Sequence, residues 1–207
     1  MTNDGERVPS PEETLRLIEE QRVATVKALR GDPLLLYAPW GMAWLLGFGA
    51  FFLHYGLHGV PYAPISQNQA LGVLMSAQVV AGGLAAFGIV KMAGQVRGET
   101  SAKGTMYGYS WFVGMVLLGV IATRVSPMLP AAESGLLWAG ASLMLVAVLY
   151  MTGGAIYLDW PMFFVGVWIA AVNALGVLLG PGWHALLTAV LLGGGQIAAG
   201  FWLRRRM

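Results

Sequence analysis

The chain reads as an all-α polytopic membrane protein with six transmembrane helices, both termini cytoplasmic, and one further helix ahead of the first span. Two observations predict it. Between Leu34 and Leu203 six apolar runs follow one another, interrupted only by Lys91, Arg97, Glu99, Lys103, Arg124, Glu133 and Asp159. Each run has about the 20 residues that cross a ~30 Å hydrocarbon core at 1.5 Å rise per residue. Composition agrees, because 57% of the 207 residues are hydrophobic and 11% charged, against about 25% charged in a soluble domain.

The first element lies in residues 1–33, a segment with twelve charges and no apolar run. It offers no hydrophobic region for a cleavable signal peptide, so the first span is expected to act as its own insertion signal. Ser10-Pro11-Glu12-Glu13 has the form of a capping box, with a hydroxyl at the N-cap, proline at the first helical position and glutamate at the third. The helix is expected to run to about Arg30 and stop at Gly31. Its acids come early (Glu12, Glu13, Glu19, Glu20) and its bases late (Arg22, Lys27, Arg30), which suits the helix dipole. Leu15, Ile18, Val26 and Leu29 form a partial apolar stripe. That stripe fits the inner membrane surface, the short inner loops of its own chain, or a cytoplasmic protein bound at residues 11–30.

The transmembrane domain, 34–207, is expected to place its spans near 34–57, 70–92, 106–126, 135–156, 160–179 and 183–203. In lipid every backbone polar group must be paired within the chain, so runs of this length are helices. Asp32-Pro33 reads as the cap and first residue of span one, and Asp159 as the N-cap of span five. Lys and Arg collect in cytoplasmic loops. With the N-terminus inside, Arg7, Arg16, Arg22, Lys27, Arg30, Lys91, Arg97, Lys103, Arg204, Arg205 and Arg206 are cytoplasmic, and of the twelve bases only Arg124 is outside. Tyr37, Trp40, Tyr107, Trp111, Tyr157 and Trp160 then fall at inner span ends, where amphipathic rings favour the headgroup level. Two short similarities, Tyr37-x-x-Trp40-x-Met42 with Tyr157-x-x-Trp160-x-Met162 and Gln78-Val79-Val80-Ala81-Gly82 with Gln196-Ile197-Ala198-Ala199-Gly200, suggest a duplicated hairpin.

Candidate chemistry is sparse. His54 and His58, spaced i and i+4 on one helical face, and His184 at the start of span six all map to the outer side; imidazoles so placed are candidate metal or haem ligands. Interfacial histidines that meet only water and headgroups are the plainer reading. Gln78, Asn173 and Gln196 are amides inside spans, where such groups join helices; in the sharper reading Gln78 and Asn173, both in the outer half, line with the histidines a polar cavity open to the outside. Gly193-Gly194-Gly195 reads as small residues for close helix approach, or as a helix break that lines a site. Mid-span Asp, Glu, Lys and Arg are missing, which argues against an ion-coupled pump. Walker A, HExxH and GxSxG motifs are absent as well, so no enzymatic activity and no cofactor are expected. Cysteine is absent, excluding thiolate sites. A net charge of +2 is too small to suggest nucleic-acid binding.

The stretch PEETLRLIEEQRVATVKALRGDPLLLYAPWGMAWLLGFGAFFL, with GLLWAGASL and LGPGWHALL later, resembles a group of actinobacterial integral membrane proteins labelled only as membrane protein or transporter. The resemblance implies a six-span protein of the bacterial inner (plasma) membrane and adds no site residue. The expected function is a passive or accessory transport component for a small molecule, in contact with the lipid bilayer and paired with a second copy or another membrane subunit. A membrane-anchored module that binds a cytoplasmic protein through its N-terminal helix is the alternative, and a metal- or haem-binding membrane enzyme using the outer histidines a third reading.

Overall fold

The computed structural model describes residues 10–29, 33–93 and 99–205. The expected stop at Gly31, the Asp32 cap, and Arg7, Arg30, Arg97 and Arg206 lie outside the described residues, as do the side chains of Val26 and Leu29. The described residues are helical almost throughout and contain no strand. In chain order the helices are α1 (Pro11–Leu29), α2 (Pro33–Tyr55), α3 (Gln67–Ala93), α4 (Glu99–Val125), α5 (Ala131–Tyr157), α6 (Trp160–Leu179) and α7 (Pro181–Arg205). A short 3-10 turn, Ser126–Met128, follows α4. Five stretches among the described residues are long and apolar enough to cross a membrane: Gln67–Gly88, Ser101–Met128, Ala131–Tyr157, Trp160–Leu179 and Pro181–Arg205.

Local sequence explains the helix ends. Ser10 and Glu13 close the capping box reciprocally: the Glu13 N–H donates to Ser10 Oγ at 3.1 Å and the Ser10 N–H to Glu13 Oε2 at 2.9 Å. Asp159 caps α6, its Oδ1 accepting from the Met162 N–H at 3.2 Å. α2 ends at Tyr55, two residues before the expected end, because Gly56 and Gly59 take φ of +60° and +73° and Pro61 follows. α4 starts at Glu99 rather than near 106: the polar run Glu99–Thr105 is helical, and a helix need not stop where its apolar stretch does.

Packing arranges the long helices in the spatial order α3, α2, α7, α6, α5, α4. The two helices next to each other in the middle, α2 and α7, approach backbone to backbone. A Cβ at Gly193 would stand 2.7 Å from Leu45 N and 2.9 Å from Gly41 O, and one at Gly182 would collide with the Gly56 carbonyl. The core gathers around this crossing, with Trp44, Phe48, Leu74, Leu143, Val146, Ala147, Ile169, Val172, Ala189 and Leu192 buried together. α4 lies at one edge. Tyr107, Trp111, Gly114, Leu118, Gly119, Ala122 and Val125 are its less exposed positions; all but Gly119 follow a 3–4 residue repeat that faces α5, and Tyr107 Oη donates to Leu149 O at 2.7 Å.

The proposed duplication does not carry into local structure. Tyr37 and Trp40 both lie within α2, whereas Tyr157 ends α5 and Trp160 begins α6, with the Leu158–Asp159 turn between them. Gln78 is half-buried on α3, and Gln196 is buried on α7.

Candidate functional site

The polar chemistry inside the bundle is centred on α7. Among the described residues the buried polar side chains are Asn173, His184, Thr188 and Gln196, three of them on that helix. His184 is four residues into α7 and Asn173 seven residues before Gly180, whose φ of +95° turns the chain from α6 into α7. The tight turn brings them face to face. Asn173 Nδ2 donates to Gly140 O on α5 at 2.9 Å, which leaves Oδ1 as the acceptor, and His184 Nε2 donates to it at 2.9 Å. That pairing assigns the His184 proton to Nε2 and leaves Nδ1 as the basic nitrogen. Two glycines permit the geometry: a Cβ at Gly176 would lie 2.9 Å from His184 Cα, and one at Gly140 2.9 Å from Val177 Cγ2. Phe48 of α2 meets the imidazole edge-on with centroids 6.0 Å apart. One node thus draws on α2, α5, α6 and α7.

Below it α7 changes its winding. Thr188–Gly193 forms a π-turn between α-helical Pro181–Leu187 and Gly194–Arg205. The alternative of a helix break at Gly193–Gly195 is not what is found: the expanded turn starts before these glycines and ends at Gly193, and the helix continues through Gly194 and Gly195. Trp168 Nε1 donates to the Leu191 carbonyl within it at 3.4 Å. In a uniform α-helix, Thr188 and Gln196 would point about 80° apart, since eight residues at about 100° each overshoot two turns. The wider π-turn takes up that excess and brings both to the buried side. Thr188 is fully buried and Gln196 is 5% exposed. Among the described residues neither the Thr188 hydroxyl nor either end of the Gln196 amide has a hydrogen-bond partner. A buried helical threonine ordinarily bonds back to its own helix; this one does not. Leaving such a group unpaired costs about 1–3 kcal/mol, so water or a small polar solute is the natural complement.

The other expected site residues sit apart. His54 Nδ1 pairs with Ile65 O at 2.8 Å, so it serves the loop after α2. His58 is exposed on that loop, beyond the helix end, so it does not share a helical face with His54: Gly56 and Gly59 have already turned the chain. Among the described residues no three His, Cys, Asp or Glu side chains gather as a metal-binding group. Gln78 lies on α3, which packs on α2, while the partners of Asn173 are on α5 and α7. Asn173 and His184 are brought together, and Gln78 does not join them. Sequence reasoning passed over Thr188, although its i+4 spacing from His184 was a usable signal; the Gly140 carbonyl had none. Comparison with known proteins finds no matching family model, curated protein or solved structure.

Proposed function

We propose that the chain is a six-span integral protein of the bacterial inner membrane, with α2 as the first span and both termini cytoplasmic, and that it is a passive transport component for water or a small uncharged polar solute. The observation that carries the reading is the buried line His184, Thr188, Gln196 on α7, with hydroxyl and amide groups that have no partner among the described residues. From His184 to Gln196 the line covers about 18 Å of a ~30 Å core. His184 is the ionisable member of the line, Thr188 and Gln196 are neutral, and no buried carboxylate or ammonium accompanies them among the described residues, which favours an uncharged cargo. The resemblance to actinobacterial membrane proteins labelled transporter points the same way.

The test is stopped-flow light scattering on proteoliposomes challenged with osmotic gradients of sucrose, urea and glycerol. Wild-type protein should speed water, urea or glycerol movement over empty liposomes, and Thr188→Val and Gln196→Leu should each reduce the gain. Permeability equal to that of empty vesicles, or full retention in both variants, refutes the reading.

A second reading has its own observation. Leu15, Leu17 and Ile18 of α1 are 48–67% exposed, a surface suited to a cytoplasmic protein or the membrane face. Under it, removing residues 1–30 abolishes co-purification of a partner and leaves solute flux unchanged.

A further inference from the structure

We propose that the edge helix α4 holds a phospholipid with an anionic headgroup, its phosphate at Arg124 and one acyl chain in the groove below. The proposal rests on the chain being membrane-embedded and is independent of any transport. A shallow, wide-open groove of about 730 Å³ lies along one face of α4 and the turn after it, lined by Val116, Gly119, Val120, Thr123, Arg124 and Pro127. These positions follow helical spacing on a face separate from the Tyr107–Trp111–Gly114 stripe that meets α5. Gly119 makes the notch: a Cβ there would touch nothing within 4 Å.

Three features together select the occupant. The groove is apolar for most of its length and polar at one end, where Thr123 and Arg124 are exposed. Among the described residues neither side chain has a protein hydrogen-bond or ion-pair partner, and no carboxylate stands within ion-pair distance of the Arg124 guanidinium. From Val116 to Pro127 the groove measures about 16 Å, close to half of a ~30 Å hydrocarbon core. A single leaflet's lipid has the right length and the right charge: acyl chain against Val116, Gly119 and Val120, phosphate oxygens on the guanidinium fork and the Thr123 hydroxyl. Arg124 is also the one base that the charge distribution of the sequence assigns to the outer side, where a cation is not needed to orient the protein.

The experiment is native mass spectrometry of the full chain released from vesicles of equimolar dioleoylphosphatidylglycerol and dioleoylphosphatidylcholine, with glycerol 3-phosphate as a tail-less competitor. Retention of phosphatidylglycerol should exceed that of phosphatidylcholine about fivefold, the ratio that about one cation near an anionic headgroup provides. Arg124→Gln should bring the ratio near one, Arg124→Lys should keep most of it, and Gly119→Leu, at an open position that folding tolerates, should lower retention of both lipids. Equal retention in wild type, an unchanged ratio in Arg124→Gln, or displacement by millimolar glycerol 3-phosphate overturns the proposal. Extraction of the protein from the vesicles by alkaline carbonate would instead defeat the membrane reading on which it rests.

Discussion

Asn173 does two jobs with one amide. Its Nδ2 ties α6 to the Gly140 carbonyl of α5, and its Oδ1 receives the His184 Nε2 proton from α7. Interhelical hydrogen bonds in membranes are worth about 0.6–2 kcal/mol, so a double-mutant cycle with Asn173→Ala and His184→Ala should give a coupling of about that size. Unfolding in mixed micelles would measure it, and strict additivity would show that the contact contributes nothing. Both residues were visible in the sequence as polar groups within apolar runs. Their pairing was not, because it depends on how tightly Gly180 closes the α6–α7 turn and on Gly176 letting the helices approach. His58 teaches the converse lesson. The i, i+4 spacing from His54 implied a shared helical face, but spacing has that meaning only while the helix continues, and Gly56 ends it.

At the scale of elements, α7 differs from its neighbours. Its flanks are occupied by α2 and α6, so residues along its length are buried where α4 keeps most of its surface exposed. The approach to α2 depends on glycine at two facing positions: a Cβ at Gly41 would come within 2.6 Å of Gly193 O, and one at Gly193 within 2.7 Å of Leu45 N. Gly193→Ala should destabilise the bundle by about 1–3 kcal/mol through overpacking, whereas Gly194→Ala, with nothing within 4 Å of the added carbon, should be close to neutral or stabilising. Thermal unfolding of the two variants in detergent decides it; equal midpoints would contradict the close α2–α7 crossing. Adjacent glycines in a Gly-Gly-Gly run thus have opposite tolerances, and no composition or motif distinguishes them. The Asp159 cap and the Ser10–Glu13 capping box were legible for the opposite reason, since both are made by residues within four positions of each other.

At the scale of the whole molecule, the loop 56–66, the turn 126–130 and Gly180 belong to one end of the bundle: Gly182 abuts the Gly56 carbonyl, and Gln67 Nε2 donates to Ala131 O at 3.4 Å. Tyr107, Tyr157 and Trp111 cluster at the other end. The absence of cysteine makes the proposed topology directly testable. Single cysteines at His58 and Glu133 should react with a membrane-impermeant maleimide in intact cells, and cysteines at Glu13 and Arg205 only after permeabilisation; the reverse pattern would place the termini outside. The all-helical, membrane-length character followed from the amino acids alone, because lipid leaves a long apolar run only one way to satisfy its backbone, and the helix caps followed because they are local. What needed tertiary structure was which face of each helix is buried. In runs apolar on every side no periodicity marks that face. Only the packing order α3, α2, α7, α6, α5, α4 made Thr188 and Gln196 interior while leaving Arg124 at an open edge.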